Sequence, residues 1–103
     1  MRVHWTDRAK ARLKDIEVYI AQDKQNPVGA KNTVEKILRR SWLLADPPEI
    51  GHSVRGFENT PLREVLTRPY RIIYVVNPDQ VDVVSVLHYR LLIPKDLDKA
   101  LLL

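Results

Sequence analysis

Apolar residues recur along this chain with two different periods, and the change from one to the other divides it. Near the start, Ala9, Leu13, Ile16 and Ile20 fall at spacings of four, three and four, which is one face of a helix. Arg8, Arg12, Asp15 and Asp23 lie off that stripe. The pattern predicts a helix from about Asp7 to Gln22, with Thr6 as its cap and Asp7 set favourably against the helix dipole. Asn26-Pro27 starts a second helix, since proline suits the first helical position. Its stripe of Ala30, Val34, Ile37, Leu38, Ser41 and Leu44 runs to about Ala45, with Lys31, Glu35, Lys36 and Arg39 on the wet side. Asp46-Pro47-Pro48 stops it, because prolines remove donors and push the preceding residue out of the helical region. The short link between the two predicts an antiparallel hairpin.

Ahead of the helices, Arg2 to Trp5 alternates as a short strand does. After them the period is two. Glu49 to Pro61 is polar, carries Gly51, Gly56 and Asn59, and holds a short strand around Ser53 to Arg55. Arg63 to Thr67 is the next strand, Pro69 breaks it, and the apolar run Tyr70 to Val76 reads as a central strand. Asn77-Pro78-Asp79-Gln80 is a turn, and Val81 to His88 returns as the antiparallel partner. Lys95 to Leu103 forms a short final helix or a tail. No repeat or low-complexity segment interrupts this order. Two consecutive helices followed by consecutive strands give an α+β domain over residues 1–103. An N-terminal strand and a helix hairpin pack on one face of a small antiparallel sheet, and the other face is expected to be free.

Composition narrows the function classes. A chain of 103 residues with 45% hydrophobic and 29% charged residues holds one modest core and is not disordered. No apolar run reaches the roughly 18 residues of a membrane span. The first ten residues have no apolar segment with a small-residue cleavage site, so no signal peptide and a cytoplasmic address are expected. The absence of cysteine excludes disulfides and thiolate metal sites. A net charge of +4 favours an acidic partner, whether nucleic acid or protein. The cations are unevenly distributed. Residues 1–50 hold five Lys and five Arg, whereas residues 51–94 hold five Arg and no Lys. Arginine is a rigid fork for phosphate or carboxylate, so the second half suits oxyanion recognition.

Strand alternation puts Arg63, Val65 and Thr67 on one face and Glu64, Leu66 and Arg68 on the other. Arg71 is expected on the open side, and the hairpin brings His88 beside the start of the Tyr70 strand. A cluster of Arg63, Arg71, His88, Tyr89 and Arg90 would hold what phosphodiester cleavage needs: arginines for charge on phosphate and groups for proton transfer, with Glu64 as a further base. The competing expectation is structural, with Arg71 paired to Glu64 and His88 a strand-end residue. Register decides between them. His4 and His52 stand apart from carboxylates at ligand spacing, so neither a metal nor any other cofactor is expected. Trp5 and Trp42 read as packing residues, and Gly51 and Gly56 as turn residues.

Four stretches, WTDRAKARLKDIEVYI, DPPEIG, LREVLTRPYRIIYVV and VSVLHYRLLIP, together resemble the RelE/ParE superfamily of toxins from bacterial type II toxin–antitoxin modules. The resemblance covers nearly the whole chain. It implies two N-terminal helices on an antiparallel sheet and a cognate antitoxin that neutralises the toxin in a hetero-oligomer, without membrane involvement. The antitoxin's amphipathic tail would land on the helix hairpin and the open sheet face. RelE-type members resemble ribosome-dependent mRNA endonucleases. That reading would place Arg63 and Arg71 on phosphate, with His88 or Tyr89 in proton transfer and ribosome and mRNA as partners. ParE-type members instead inhibit DNA gyrase and lack a nuclease site. The lysine-free central strands, LREVLTRPYRIIY and the His-x-Arg ending look more like ParE, with Arg55, Arg68 and Arg90 as target-binding residues. A third alternative is an inactive member that only binds its antitoxin.

Overall fold

A computed structural model describes residues 1–95 and residue 97 of the chain. Strand β1 (Arg2–Trp5) leads into helix α1 (Asp7–Val18), whose last turn widens into a π-helical segment at Tyr19–Asp23. Helix α2 (Pro27–Trp42) follows and tightens into a 3₁₀ turn at Leu43–Ala45. A second 3₁₀ turn at Pro48–Ile50 precedes β2 (His52–Ser53), β3 (Arg63–Thr67), β4 (Tyr70–Val76) and β5 (Gln80–His88). Both helices start where side chains supply the missing acceptors. Thr6 Oγ1 accepts from the Ala9 amide at 3.2 Å, and Asn26 Oδ1 accepts from Gly29 at 2.9 Å.

The sheet order is β1-β5-β4-β3-β2. Strands β2 to β5 are antiparallel, but β1 runs parallel to β5, with Val3 opposite Val81, so the sheet is mixed. The chain can make this parallel pair because the whole helix hairpin intervenes between β1 and the antiparallel strands. On the helix side, Trp5, Ala9, Ile37, Leu44, Ile72 and Val83 belong to one buried cluster. Its polar atoms are satisfied internally: Trp5 Nε1 donates to Ser41 Oγ at 3.0 Å, and Ser41 donates to the Leu38 carbonyl. From the two predicted helical stripes, Ala9, Leu13, Ile16, Ile37, Leu38 and Leu44 pack in this core.

The opposite face of the sheet is not free. Val54, Leu62, Ile73, Val75, Leu87 and Leu97 form a second buried cluster, with Phe57 and Ile93 packed against it. The segment 54–62 and the chain after β5 cover this face, because strands β4 and β5 carry apolar side chains on both sides. The expected alternation of a half-wet sheet therefore gives way to a two-sided core. Of the expected final helix, only Lys95 and Leu97 lie among the described residues.

Candidate functional site

The register of the central strands decides which candidate side chains meet. Tyr70 pairs with His88 and Arg71 with Leu87, while Glu64 pairs with Ile73. A bulge interrupts the β4–β5 ladder: Ile73 faces Ser85 but Tyr74 faces Val83, so Val84 is the extra residue. Val83 and Val86, three apart, consequently both join the helix-side core. Past the bulge every side chain of β5 has changed sides. His88 falls with Tyr70 on the helix side, and Arg71 falls with Ile73 on the other. The expected neighbourhood of Arg71 and His88 is replaced by two separate environments.

Arg71 is committed within the fold. Its Nε donates to Glu64 Oε2 at 2.8 Å, and its terminal nitrogen bonds the same oxygen. The two side chains are 14% and 10% exposed, which makes this a largely desolvated ion pair. Arg63 is committed too, donating to the carbonyls of Glu49 and Gly51. The same loop is held from below by the fully buried Tyr74, whose hydroxyl donates to the Pro48 carbonyl and accepts from the Gly51 amide, both at 2.8 Å. A Cβ on Gly51 would lie 2.5 Å from the Tyr74 hydroxyl and the Glu64 carbonyl, so only glycine permits this approach. Arg63 also sits four residues along β3 from the level of His88, about 13 Å at the rise of a strand.

The end of β5 gathers a different set. The His88 ring stacks on Tyr89 with centroids 4.9 Å apart and meets Tyr70 edge-on at 5.9 Å. His88 Nδ1 accepts the Arg90 amide at 3.1 Å, which leaves the proton of the neutral ring on Nε2. The Arg90 guanidinium lies 5.5 Å from the Tyr89 ring centre, and its Nε donates to the Tyr89 hydroxyl. Burial, and then the neighbouring Tyr19, push the Tyr70 phenol above its usual pKa, so it stays a neutral donor at physiological pH. A cavity of about 300 Å³ beside this group is lined by Arg12, Asp15, Tyr19, Tyr70, His88 and Leu91. Arg68, at the β3–β4 turn, is exposed and its side chain has no partner among the described residues. Arg55 follows β2, which pairs with the start of β3, and so lies at the opposite end of that strand from Arg68. Chemically, the residues considered for cleavage are spread over two sheet faces, with Arg71 opposite His88, and over two ends of a strand, with Arg63 distant from His88. Among the described residues no group of three potential metal ligands occurs.

A feature that residue types alone did not mark is a groove of about 390 Å³ between the helices and β1. Leu13, Val34, Leu38 and Trp42 line it together with Lys10 and Lys14. Trp42 is half exposed there rather than packed in the core. Its position one helical turn beyond Leu38, a member of the apolar stripe, was the available signal. Strand β1, at the edge of the sheet, has no strand on its outer side among the described residues.

Two helices packed on a five-stranded mixed sheet make an architecture that a solved structure shares. The chain is similar to the solved structure "Chromosomal ParDE TA system from P. aeruginosa", with a TM-score of 0.70, 22% identity, and coverage of 85% of this chain and 95% of that one. The family model described as "ParE toxin of type II toxin-antitoxin system, parDE" matches residues 3–91, and the chain belongs to that family. No curated protein matched the sequence.

Proposed function

We propose that this chain is a growth-inhibiting toxin that acts on DNA gyrase through protein contacts, and that a cognate antitoxin neutralises it. The observation that carries the target assignment is the commitment of Arg63 and Arg71. Both are bonded inside the fold, and Arg71 lies on the sheet face opposite His88. A ribonuclease would need those guanidiniums turned toward a scissile phosphate, near a proton-transfer group. The side-by-side test is gyrase supercoiling against ribosome-bound mRNA cleavage. Loss of supercoiling with no new mRNA ends in a translating extract is expected. New mRNA ends with gyrase untouched would replace this reading with the ribonuclease one, and neither effect would leave a chain that only binds its antitoxin.

The antitoxin's docking place on this reading is the helix-side groove. The sheet face expected to share the role is covered by the segment 54–62 and by Leu97. The groove offers an apolar floor, an open strand edge beside it, and Lys10, whose side chain has no partner among the described residues. Its fitting occupant is an amphipathic antitoxin segment carrying carboxylates, which orders as it binds. Leu38→Asp should weaken the toxin–antitoxin complex at least tenfold by calorimetry, and an unchanged affinity would move the docking site elsewhere.

A further inference from the structure

Four of the chain's large exposed apolar side chains gather where β3 turns into β4 and β5 ends. Leu66 is 43% exposed, Tyr89 47%, Leu91 50% and Leu92 93%. Leu66 and Tyr89 line one cleft, and Leu91 and Leu92 follow Tyr89 closely in the chain. The Tyr89 amide donates to the Pro69 carbonyl at 2.8 Å, and a cleft of about 110 Å³ is lined by Leu66, Arg68, Pro69, Tyr70 and Tyr89. Leu91 continues the surface on the other side of Tyr70, where it borders the His88 cavity. Arg68 lines the cleft, and Arg90 lies over the ring of Tyr89, which lines it too. On the adjoining sheet surface Glu64 is neutralised by Arg71, and the bordering Asp15 shares its cavity with Arg12. The patch is thus apolar at its centre and positive at its rim.

We infer that this end of the sheet is the surface with which the chain grips its target, and that the target presents a protein face with an apolar side chain ringed by carboxylates. Tyrosine and arginine around an aliphatic cleft form the composition of a protein-binding hot spot. The charge of the rim selects an acidic partner and speeds encounter with it. Single-stranded nucleic acid fits less well. The Tyr89 ring is already stacked with His88 and covered by Arg90, and the remaining exposed groups are aliphatic leucines that offer no platform for a base. This inference rests on the gyrase reading for the identity of the partner, but not for the location of the surface. It also separates the arginines: Arg68 and Arg90 belong to it, and Arg55 does not.

The test uses the full chain with Arg68→Glu, Tyr89→Ala and Leu92→Asp, and Lys31→Glu on the outer side of α2 as a charge-matched control. Each of the three should lower growth inhibition and gyrase inhibition at least tenfold, while thermal melting and antitoxin affinity stay at the parent's values and the control keeps full potency. If the parent inhibits gyrase and all three variants match it, the surface is not the target site, although the gyrase reading survives. If the parent leaves gyrase untouched, that reading falls and growth inhibition in cells decides. Loss of toxicity in the variants keeps the surface as a grip on another acidic protein, and full toxicity overturns it. Parent-dependent mRNA cleavage that the variants lose would make this an RNA surface and overturn the protein assignment.

Discussion

Arg71 and Arg68 are three residues apart, yet they differ in almost every physical respect. Arg71 stands inside a strand, is 14% exposed, and spends its charge on Glu64. Arg68 stands at a turn, is exposed, and has no side-chain partner among the described residues. The strand's cross-ladder neighbours are fixed by register, so an ionisable group there must find a partner or forfeit its solvation. The turn imposes no such neighbour. The same residue type therefore serves cohesion in one place and is left for recognition in the other.

This contrast can be broken from the cohesive side first. Glu64→Ala would leave the Arg71 charge largely buried and unpaired. It should destabilise the fold by about 3 kcal/mol, read from a lowered urea midpoint at unchanged m-value. Glu64→Gln, which keeps an acceptor, should cost less. Tyr74→Phe would strip the Gly51 amide and the Pro48 carbonyl of their shared partner and should cost about 2 kcal/mol, with faster proteolysis of the 48–51 loop. Arg68→Glu should change stability by no more than about 0.5 kcal/mol, because no interaction within the chain is lost. A large effect there would mean that the turn arginine is structural after all. The smallest effect belongs to Tyr70. Its phenol titrates higher in the folded chain than in the unfolded one, so between those two values the unfolded chain has already lost its proton. Stability is then fully present below the ordinary tyrosine value of 10.0 and declines as pH rises through the folded value. Tyr70→Phe should flatten that alkaline decline in a pH series of denaturation midpoints.

Local signals read the hairpin well. The stripes from Ala9 to Ile20 and from Ala30 to Leu44, with their Thr6 and Asn26 caps, depend only on neighbours within a few residues. The strands from Arg63 to His88 were equally plain, because prolines and a turn tetrad punctuate them. What escaped was non-local. Nothing within Arg2–Trp5 announces that it lies parallel to β5. The covering of the second face was hidden because Val54, Phe57 and Leu62 are sparse and aperiodic. A signal for it did exist in β5, where Val83-Val84 and Val86-Leu87 place apolar pairs that strict alternation would split between core and water. The same doublets mark the bulge. The candidate site was legible as a set of residue types but not as a constellation, since register alone separates Arg71 from His88.

Val84 occupies that bulge as one surplus residue, and its effect reaches well beyond its own position. Deleting it would restore an unbroken ladder and leave Ser85 opposite Ile73 and His88 opposite Tyr70, with every side chain on its present face. A continuous ladder that kept Val84 opposite Ile73 would instead set Leu87 opposite Tyr70, moving Leu87 from the second core to the first and His88 from the Tyr70 side to the Arg71 side. The separation between an aromatic docking end and a histidine–arginine pairing is therefore a matter of register, a single residue deep. Catalytic potential on this scaffold can be gained or lost without altering any of the residues that would carry it.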